Sequence, residues 1–138
     1  MKWNACINLS FDGRCEVAFQ FYTKCLGGKV TFALKWGDSP MAKDAPAEWA
    51  GKILHARLEL GDLVLNGCDL PPGQYERPRG MSLLLGLDNP AEAERLFTAL
   101  AENGSVRFPL QQTFWAERFG SVMDQFGIPW EINCEKPL

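Results

Sequence analysis

The chain contains one histidine, His55, and its position suits proton transfer. Histidine is the side chain whose charge ordinarily changes near neutral pH. Apolar and polar residues alternate from Ile53 to Leu60, which predicts a half-buried strand with His55, Arg57 and Glu59 on its polar face. From that face His55 could give a proton to a ligand or take one. A structural histidine bonded to a backbone carbonyl or to Glu59 is the alternative.

Glu131 is the second candidate for acid–base chemistry. Its segment, Pro129 to Cys134, alternates so that Glu131 points away from Trp130 and Ile132. We predict that Trp130 lies in the core and that Glu131 faces a ligand cleft as a general base. If its side of the strand is wet, Glu131 is only a solvated carboxylate.

Two arginines could hold an anionic ligand through their guanidinium groups. They are Arg57, on the strand face of His55, and Arg118. Surface pairing with Glu59 or Glu117 is the other interpretation.

Aromatic side chains next to loops are candidates for ligand contact. Trp36 precedes a loop from Gly37 to Gly51, and Phe114 and Trp115 stand between two predicted strands. Large rings in such places often line a pocket mouth or a subunit contact, although packing is the default for any one ring. We assign substrate binding to Trp36, Phe114, Trp115, Arg57 and Asn8, the last on the polar side of the first strand.

The cysteine pattern predicts free thiols. The chain has five cysteines, and none forms a C-x-x-C pair. Most fall in predicted strand or helix interiors and are expected to be buried. A cysteine nucleophile with His55 as its base stays open as a lesser alternative.

Periodicity predicts one helix and four strands in each half of the chain. The first helix opens at Asp12-Gly13, ends at Gly27-Gly28 and is expected to bury Val17, Phe21 and Cys25, with Ala18 and Tyr22 beside them. The second helix begins with an Asn89 cap, Pro90 and Glu92 in a capping box, and buries Ala93, Leu96, Phe97 and Leu100. The predicted strands are Asn4–Ser10, Lys29–Trp36, Ile53–Leu60, Leu63–Cys68, Met81–Leu87, Val106–Gln111, Arg118–Asp124 and Pro129–Cys134.

The two halves repeat each other. A shift of 76 positions brings Asp12 onto Asp88, Glu16 onto Glu92, and Gly28 to Phe32 onto Gly104 to Phe108. Two copies are too few for a solenoid, so we predict one domain, 1–138, with a βαβββ module at about 1–70 and another at about 79–138. Such a domain usually holds a ligand between its halves.

Charge and hydropathy exclude some partners. The net charge is -3, and the lysines and arginines are scattered, so a nucleic acid partner is not expected. No apolar run has the length of a membrane span, and Met1-Lys2-Trp3-Asn4 does not lead into a signal-peptide core. We expect a cytoplasmic protein without a membrane partner.

Several segments resemble a known family. Phe11 to Glu16, Ala18 to Tyr22, Leu54 to Ala56, Thr113 to Gly120 and Asp124 to Trp130, in the order βαβββ twice over, are similar to the PhnB-like branch of the vicinal-oxygen-chelate superfamily. That superfamily includes glyoxalase I, bleomycin-resistance proteins and extradiol dioxygenases. The resemblance covers nearly the whole chain. It implies an α+β fold in which two βαβββ modules form a half-open mixed-sheet barrel around a cleft.

The resemblance also implies where a metal would bind. In metal-using relatives the first, fourth, fifth and eighth strands each supply one ligand, and the counterparts here are Cys6, Leu65, Ser82 and Glu131. Leucine cannot coordinate a cation and serine does so poorly. We therefore expect no cofactor and no resident metal, unless His55 joins Glu131 in a new arrangement.

Three functions stay open. One is an enzyme that binds a small organic molecule in an aromatic cleft and moves protons with His55 and Glu131, with little or no metal. A second is a metal-dependent lyase, isomerase or dioxygenase of the glyoxalase type. A third is a protein that sequesters a drug or metabolite without chemistry. The branch is often labelled demethylubiquinone methyltransferase, but no glycine-rich nucleotide loop follows a strand. The resemblance further implies a homodimer.

Overall fold

The computed structural model describes residues 2–136 and divides the chain into two compact units. Unit 1 ends at Glu76 and unit 2 begins at Arg77. Each unit contains a strand, a helix and then three strands, so the α+β class and the two βαβββ modules are confirmed. That the two modules make one domain stays a prediction.

Unit 1 is a four-stranded mixed sheet with one helix. Its elements are β1 (Ile7–Phe11), α1 (Cys15–Leu26), β2 (Lys29–Lys35), β3 (Ile53–Leu60) and β4 (Leu63–Asp69). The strands lie in the order β1-β4-β3-β2, with β1 and β4 parallel and the other pairs antiparallel. The loop between β2 and β3 contains three short 3₁₀ turns, Trp36–Asp38, Ala42–Asp44 and Ala47–Trp49.

Unit 2 repeats this plan. Its elements are β5 (Leu83–Leu87), α2 (Pro90–Ala101), β6 (Ser105–Gln111), β7 (Ala116–Met123) and β8 (Pro129–Glu135). The strand order is β5-β8-β7-β6, and β5 runs parallel to β8. Neither twelve-residue helix, nor any other helix within residues 2–136, is long and apolar enough to cross a membrane.

Helix α1 buries Ala18, Tyr22 and Cys25 as predicted, but it also buries Cys15 and Phe19, which were not predicted. Val17, whose burial was predicted, is 55% exposed. The buried stripe follows the helical period of 3.6 residues, from which a strict four-residue spacing drifts away. Gly67 of β4 explains the choice, since it leaves the room that the side chains of Cys15 and Phe19 fill.

Helix α2 follows its prediction more closely. Ala93, Leu96 and Leu100 are buried, and Phe97 is half-buried. The Asn89 side-chain oxygen accepts from the backbone N–H groups of residues 91 and 92, as a cap should. The capping box is incomplete, because the Glu92 carboxylate accepts from the Arg95 guanidinium.

A buried carboxylate fixes unit 1 at the end of β4. One oxygen of Asp69 accepts from the N–H groups of Gly13 and Cys15 at 3.0 and 2.9 Å, and the other accepts from Ile53 N–H at 2.8 Å. Burial raises the pKa of Asp69, and these three backbone bonds and the charge of Lys52 oppose that rise. Asp69 therefore ties β4 to the start of α1 and to the start of β3.

A second buried carboxylate fixes the turn between β7 and β8 in unit 2. One oxygen of Asp124 accepts from Phe126 N–H and Ile128 N–H at 2.8 and 3.0 Å. The other oxygen accepts from the Trp130 indole N–H at 2.9 Å. Trp130 is completely buried, which confirms its predicted core role.

Glycines show which side of each sheet carries its helix. A side chain at Gly67 would meet Phe19 of α1, and one at Gly120 would meet Phe97 of α2. Because strand residues alternate between the two sides, the neighbours of these glycines point away from the helix. We call this other side the open face of each sheet, and it carries Asn66 in unit 1 and Ser121 in unit 2.

Candidate functional site

The open face of unit 1 carries a polar row across its four strands. Asn8 lies beside Asn66, Asn66 beside Arg57, and Arg57 beside Phe32. In-register neighbours on one face of a sheet have side chains about 5 Å apart. Two of the predicted ligand contacts, Asn8 and Arg57, therefore share one surface. Arg57 also faces Glu59 at 3.7 Å, an exposed pair of small energetic weight.

His55 lies on the same open face, two residues before Arg57. Its ring is exposed and contacts Phe32, with ring centroids 5.7 Å apart. No hydrogen bond or ion pair within residues 2–136 engages the imidazole. The bond to Glu59 that the alternative interpretation allowed is not formed among the described residues, where Glu59 pairs with Arg57. His55 therefore keeps both ring nitrogens available.

Asn66 is an open-face residue that the sequence did not single out. Its amide N–H donates to the Cys6 sulfur at 3.0 Å. Its side-chain oxygen is buried and accepts no hydrogen bond from any described residue. A buried acceptor without a donor is unfavourable, so this oxygen is a ready partner for a ligand or a water.

The open face of unit 2 has a corresponding row of different chemistry. Leu84 lies beside Glu131, Glu131 beside Ser121, and Ser121 beside Phe108. Glu131 is half-buried and points away from buried Trp130 and Ile132, as its alternation predicted. No hydrogen bond or salt bridge reaches its carboxylate within the described part of the chain. Whether this face meets a ligand stays a prediction.

Four aromatic rings form a continuous series in unit 2, which we call the aromatic ladder: Phe114, Trp115, Phe119 and Phe108. Successive ring centroids are 4.9, 5.3 and 5.7 Å apart. Phe114 is 89% exposed and Trp115 46% exposed. The sequence predicted ligand contact for the first two rings but missed Phe119 and Phe108.

A signal for the missed rings was present in the repeat. Phe32 and Phe108 coincide under the 76-residue shift, and in the structure each contacts one ring of the next strand. The partner is His55 in unit 1 and Phe119 in unit 2. The strand registers thus make Phe119 the counterpart of His55.

The predicted counterpart of Glu131 in the fourth strand is wrong. Leu65 is completely buried on the helix side of its sheet. Asn66 occupies the place that Glu131 occupies in unit 2, because Asn66 pairs with Asn8 as Glu131 pairs with Leu84. The two hairpin turns differ in length, and an error of one residue reverses the face.

Trp36 and Arg118 each bond to residues of their own unit. Trp36 is only 5% exposed, and its indole N–H donates to the Asp69 carbonyl at 3.0 Å, which does not support ligand contact. Arg118 faces Glu94 at 3.3 Å and donates to the Glu117 carbonyl oxygen.

All five cysteines are free, as predicted. Cys15, Cys25 and Cys134 are buried, Cys68 is half-buried and Cys6 is exposed. Burial raises the pKa of Cys15, Cys68 and Cys134 above the ordinary thiol value. These three thiols are therefore poor nucleophiles.

Comparison with known proteins decides the family. A model of the family described as 3-demethylubiquinone-9 3-methyltransferase matches residues 4–133. The chain belongs to this family. It is 32% identical over 136 residues to Protein YjdN of Escherichia coli, a match that covers 93% of this chain and 92% of that protein. The predicted resemblance to the PhnB-like branch is confirmed.

This family member also resembles solved structures in its fold. The crystal structure of PA1353 from Pseudomonas aeruginosa is 46% identical and has a TM-score of 0.88, covering 99% of this chain and 100% of that chain. A glyoxylase/bleomycin resistance protein/dioxygenase domain from Frankia sp. EAN1pec has a TM-score of 0.64 at 16% identity and covers 99% of both chains. The second likeness concerns the fold alone, and it supports the glyoxalase-like architecture.

The donor set at the expected ligand positions does not fit the metal that the fold's relatives often carry. Within residues 2–136, no group of three or more His, Cys, Asp and Glu side chains could hold a metal ion. Of the expected positions, Cys6 already accepts from the Asn66 amide, Leu65 is buried on the helix side, and Ser82 is a poor ligand. The open-face rows next to these positions supply two amides in unit 1, and a leucine and the Glu131 carboxylate in unit 2. One carboxylate does not make a cage for a divalent ion. The prediction that the protein lacks a resident metal itself stays untested.

The methyl transfer named in the family description would need a site for a methyl donor. Two strands in the described chain lead directly into helices, β1 into α1 and β5 into α2. The first connection has one glycine, Gly13, whose N–H already donates to Asp69. The second connection consists of residues 88 and 89 and has no glycine. Neither is a glycine-rich loop that could cradle a nucleotide.

Proposed function

We propose that the protein binds a small planar organic molecule against the aromatic ladder of unit 2. The observation that carries this proposal is the exposure of Phe114 and Trp115, whose rings contact each other while leaving aromatic surface uncovered. Exposed aromatic clusters are characteristic of binding sites, because leaving them in water is unfavourable. A flat ligand would extend the ladder by stacking on it.

Glu131 is the proposed polar partner of that ligand. Phe119 pairs across the sheet with Asn133, and Glu131 is the next residue of β8 on the same face. Diagonal neighbours of this kind lie within reach of long or aromatic side chains. A ligand hydroxyl could therefore donate to Glu131 while the ring stacks on the ladder.

Ligand-observed NMR tests the binding directly. We expect saturation transfer to naphthol, whose ring is flat, and little to decalol, its saturated analogue. Trp115→Ala should weaken naphthol binding by about two- to tenfold, the worth of one aromatic contact. Trp3→Ala is the matched control, because Trp3 is 82% exposed in unit 1. Equal binding of decalol, or equal losses in the two variants, would refute the stacking site.

The acid–base part of the proposal concerns His55 and Glu131. Both lack an ion-pair partner within residues 2–136, so both can exchange protons with a ligand. We expect Glu131→Gln to weaken the binding of naphthol but not that of naphthalene, which has no hydroxyl. Glu135→Gln on the same strand serves as the control. If Glu131→Gln affects both ligands equally, the carboxylate has only a structural effect.

A metal-poor site is part of this proposal, and metal analysis tests it. Protein purified without chelators should contain far less than one ion per chain. Stoichiometric zinc, nickel or iron would overturn the proposal and favour a metal-dependent lyase, isomerase or dioxygenase. We do not propose methyl transfer, because neither strand–helix connection resembles a donor site.

Sequestration without chemistry is the second candidate, and the aromatic ladder supports it equally well. Sequestration and catalysis are distinguished by recovering a bound compound after long incubation and comparing it with the starting material. Unchanged compound supports sequestration, and a product that depends on His55 or Glu131 supports an enzyme. We also propose a homodimer, which light scattering at micromolar concentration tests; a monomer would contradict it.

A further inference from the structure

Unit 2 contains a pocket of about 380 Å³ whose lining residues are not those of the aromatic ladder. Its walls are the segment from Arg77 to Met81, Ser105 and Arg107 of β6, Met123 of β7 and Pro129 of β8. The volume is in the range of small-molecule sites. Pro129 lies two residues before Glu131 in β8, and Arg107 directly precedes Phe108, so the pocket borders the site proposed above although it shares no residue with it.

Three arginines surround this pocket: Arg77, Arg79 and Arg107. The chain has seven arginines in all. The other four each face a carboxylate, in the pairs Arg14–Asp12, Arg57–Glu59, Arg95–Glu92 and Arg118–Glu94. The three pocket arginines have no such partner within residues 2–136, and no acidic residue lines the pocket.

This concentration of charge contrasts with the rest of the protein. The chain carries a net charge of -3, yet the pocket lining carries three positive charges and no negative one. Like charges repel, and in a chain with 17 acidic residues pairing with carboxylates would be the ordinary way to relieve that repulsion. An anionic ligand would relieve it here.

The base of the pocket is well defined. Ser105 pairs with Met123, and Met123 pairs with Pro129, so three adjacent strands supply these residues in one row. Pro129 is buried, and Met123 is half-buried. The segment that carries Arg77 and Arg79 contains Pro78 and ends at Gly80, which has a left-handed φ of 73°. The Ser105 hydroxyl adds a neutral donor.

We propose that this pocket binds the phosphate group of a small phosphorylated molecule. Guanidinium groups match phosphate oxygens with paired N–H donors, and a phosphate monoester presents three oxygens and close to two negative charges. A carboxylate has only two oxygens and one charge, and therefore uses fewer of the three arginines. Met123 and Pro129 provide an apolar surface for the organic part of the ligand.

Calorimetric titration with methyl phosphate tests the pocket, with ionic strength held constant by sodium chloride. We expect saturable binding of one ligand per chain and weaker binding of acetate. The double variant Arg79→Gln/Arg107→Gln should bind methyl phosphate at least about tenfold more weakly, as expected for the loss of two charge-assisted contacts. Arg95→Gln removes one positive charge from an ion-paired arginine of the same unit and should leave the affinity unchanged.

The outcomes separate this proposal from its rivals. Thermal melts of the variants show whether they fold, and all the replaced side chains are exposed. Absence of saturable binding, equal affinity for acetate, or equal loss in Arg95→Gln would overturn the pocket. A short single-stranded oligonucleotide that binds more tightly, with a steep salt dependence, would overturn the small-molecule assignment and favour a nucleic acid surface.

Discussion

The two units share a frame and differ on their open faces. Both have the same strand order, one helix on one side of the sheet, and a buried aspartate that accepts three N–H groups. On the open face, however, Asn8, Asn66 and His55 of unit 1 correspond to Leu84, Glu131 and Phe119 of unit 2. The helix sides of the two sheets therefore share their packing, whereas the open faces differ in chemistry.

The buried aspartates also differ within this shared frame. Asp69 connects the end of β4 to the start of α1 and to β3, so it joins elements distant in sequence. Asp124 serves its own hairpin turn and the indole of Trp130. A buried carboxylate that accepts N–H groups therefore stabilises long-range contacts in unit 1 and a local turn in unit 2.

The largest expected effect comes from replacing these carboxylates. Both oxygens of each aspartate accept hydrogen bonds, so Asp69→Asn or Asp124→Asn replaces one acceptor oxygen with an NH₂ group. That NH₂ group then faces a buried N–H, and the N–H is left without an acceptor. Each variant should lose about 3 kcal/mol of unfolding free energy, the range for an unsatisfied buried donor with a charged partner removed. Urea denaturation measures this loss.

Asp62→Asn, at the exposed turn between β3 and β4, is the control for both variants. A loss at Asp69 or Asp124 no larger than the control would show that the hydrogen bonds contribute little. A large loss at one aspartate alone would show that the two units do not rely equally on this device.

The glycines under the helices should give a smaller and unequal pair of effects. An added Cβ at Gly120 would approach the Phe97 ring at 2.6 Å and the Leu110 backbone at 2.9 Å. At Gly67 the close atoms are side chains, Phe19 at 2.5 Å and Cys15 at 2.9 Å. Side chains can shift and backbone cannot, so Gly120→Ala should cost about 2 kcal/mol and Gly67→Ala about 1 kcal/mol.

Thermal or urea denaturation of the two alanine variants tests this order. Gly86→Ala is the control, because a Cβ there would meet no atom within 4 Å. If Gly67→Ala proves the more costly change, helix α1 is held more rigidly against its sheet than α2.

The sequence predicted the frame because its signals are local and periodic. Strand alternation, the Asn89 cap and the glycine after α1 each act within a few residues, and the structure has these features where they were expected. It missed the burial of Trp36, since the indole's acceptor is the carbonyl of Asp69, 33 residues away. The sequence also did not show that the β3–β4 and β7–β8 turns differ in length, so it predicted Leu65 in place of Asn66 as the counterpart of Glu131.

The candidate site was less predictable for the same physical reason. Phe108 and Phe119 become neighbours only through the pairing of β6 with β7, and no local pattern reports that register. The pocket arginines lie in two segments of the sequence, one before β5 and one within β6, so no basic cluster appears along the chain. Periodicity therefore predicted which face of a strand each residue occupies, but not which residues of adjacent strands are neighbours.

The smallest expected effect is the loss of stability on replacing Glu92, compared with the loss on replacing its repeat counterpart, Glu16. In α2 the Arg95 guanidinium donates to Glu92 and lowers the pKa of that carboxyl. In α1 the residue that corresponds to Arg95 is Phe19, which is buried, and Glu16 has no ion-pair partner within residues 2–136. A surface ion pair is therefore present in only one of the two helices.

The sign of its pH dependence follows from the lowered pKa. The folded state holds the Glu92 proton less tightly than the unfolded chain, so the pair stabilises the protein above the unfolded pKa. This contribution is lost as the pH falls through the folded pKa. Melting temperatures should therefore show a small deficit for Glu92→Gln at neutral pH that closes in acid, and no such deficit for Glu16→Gln. The same deficit in both variants would assign the effect to helix charge in general, because both residues lie in the first turn, where a negative charge favours any helix.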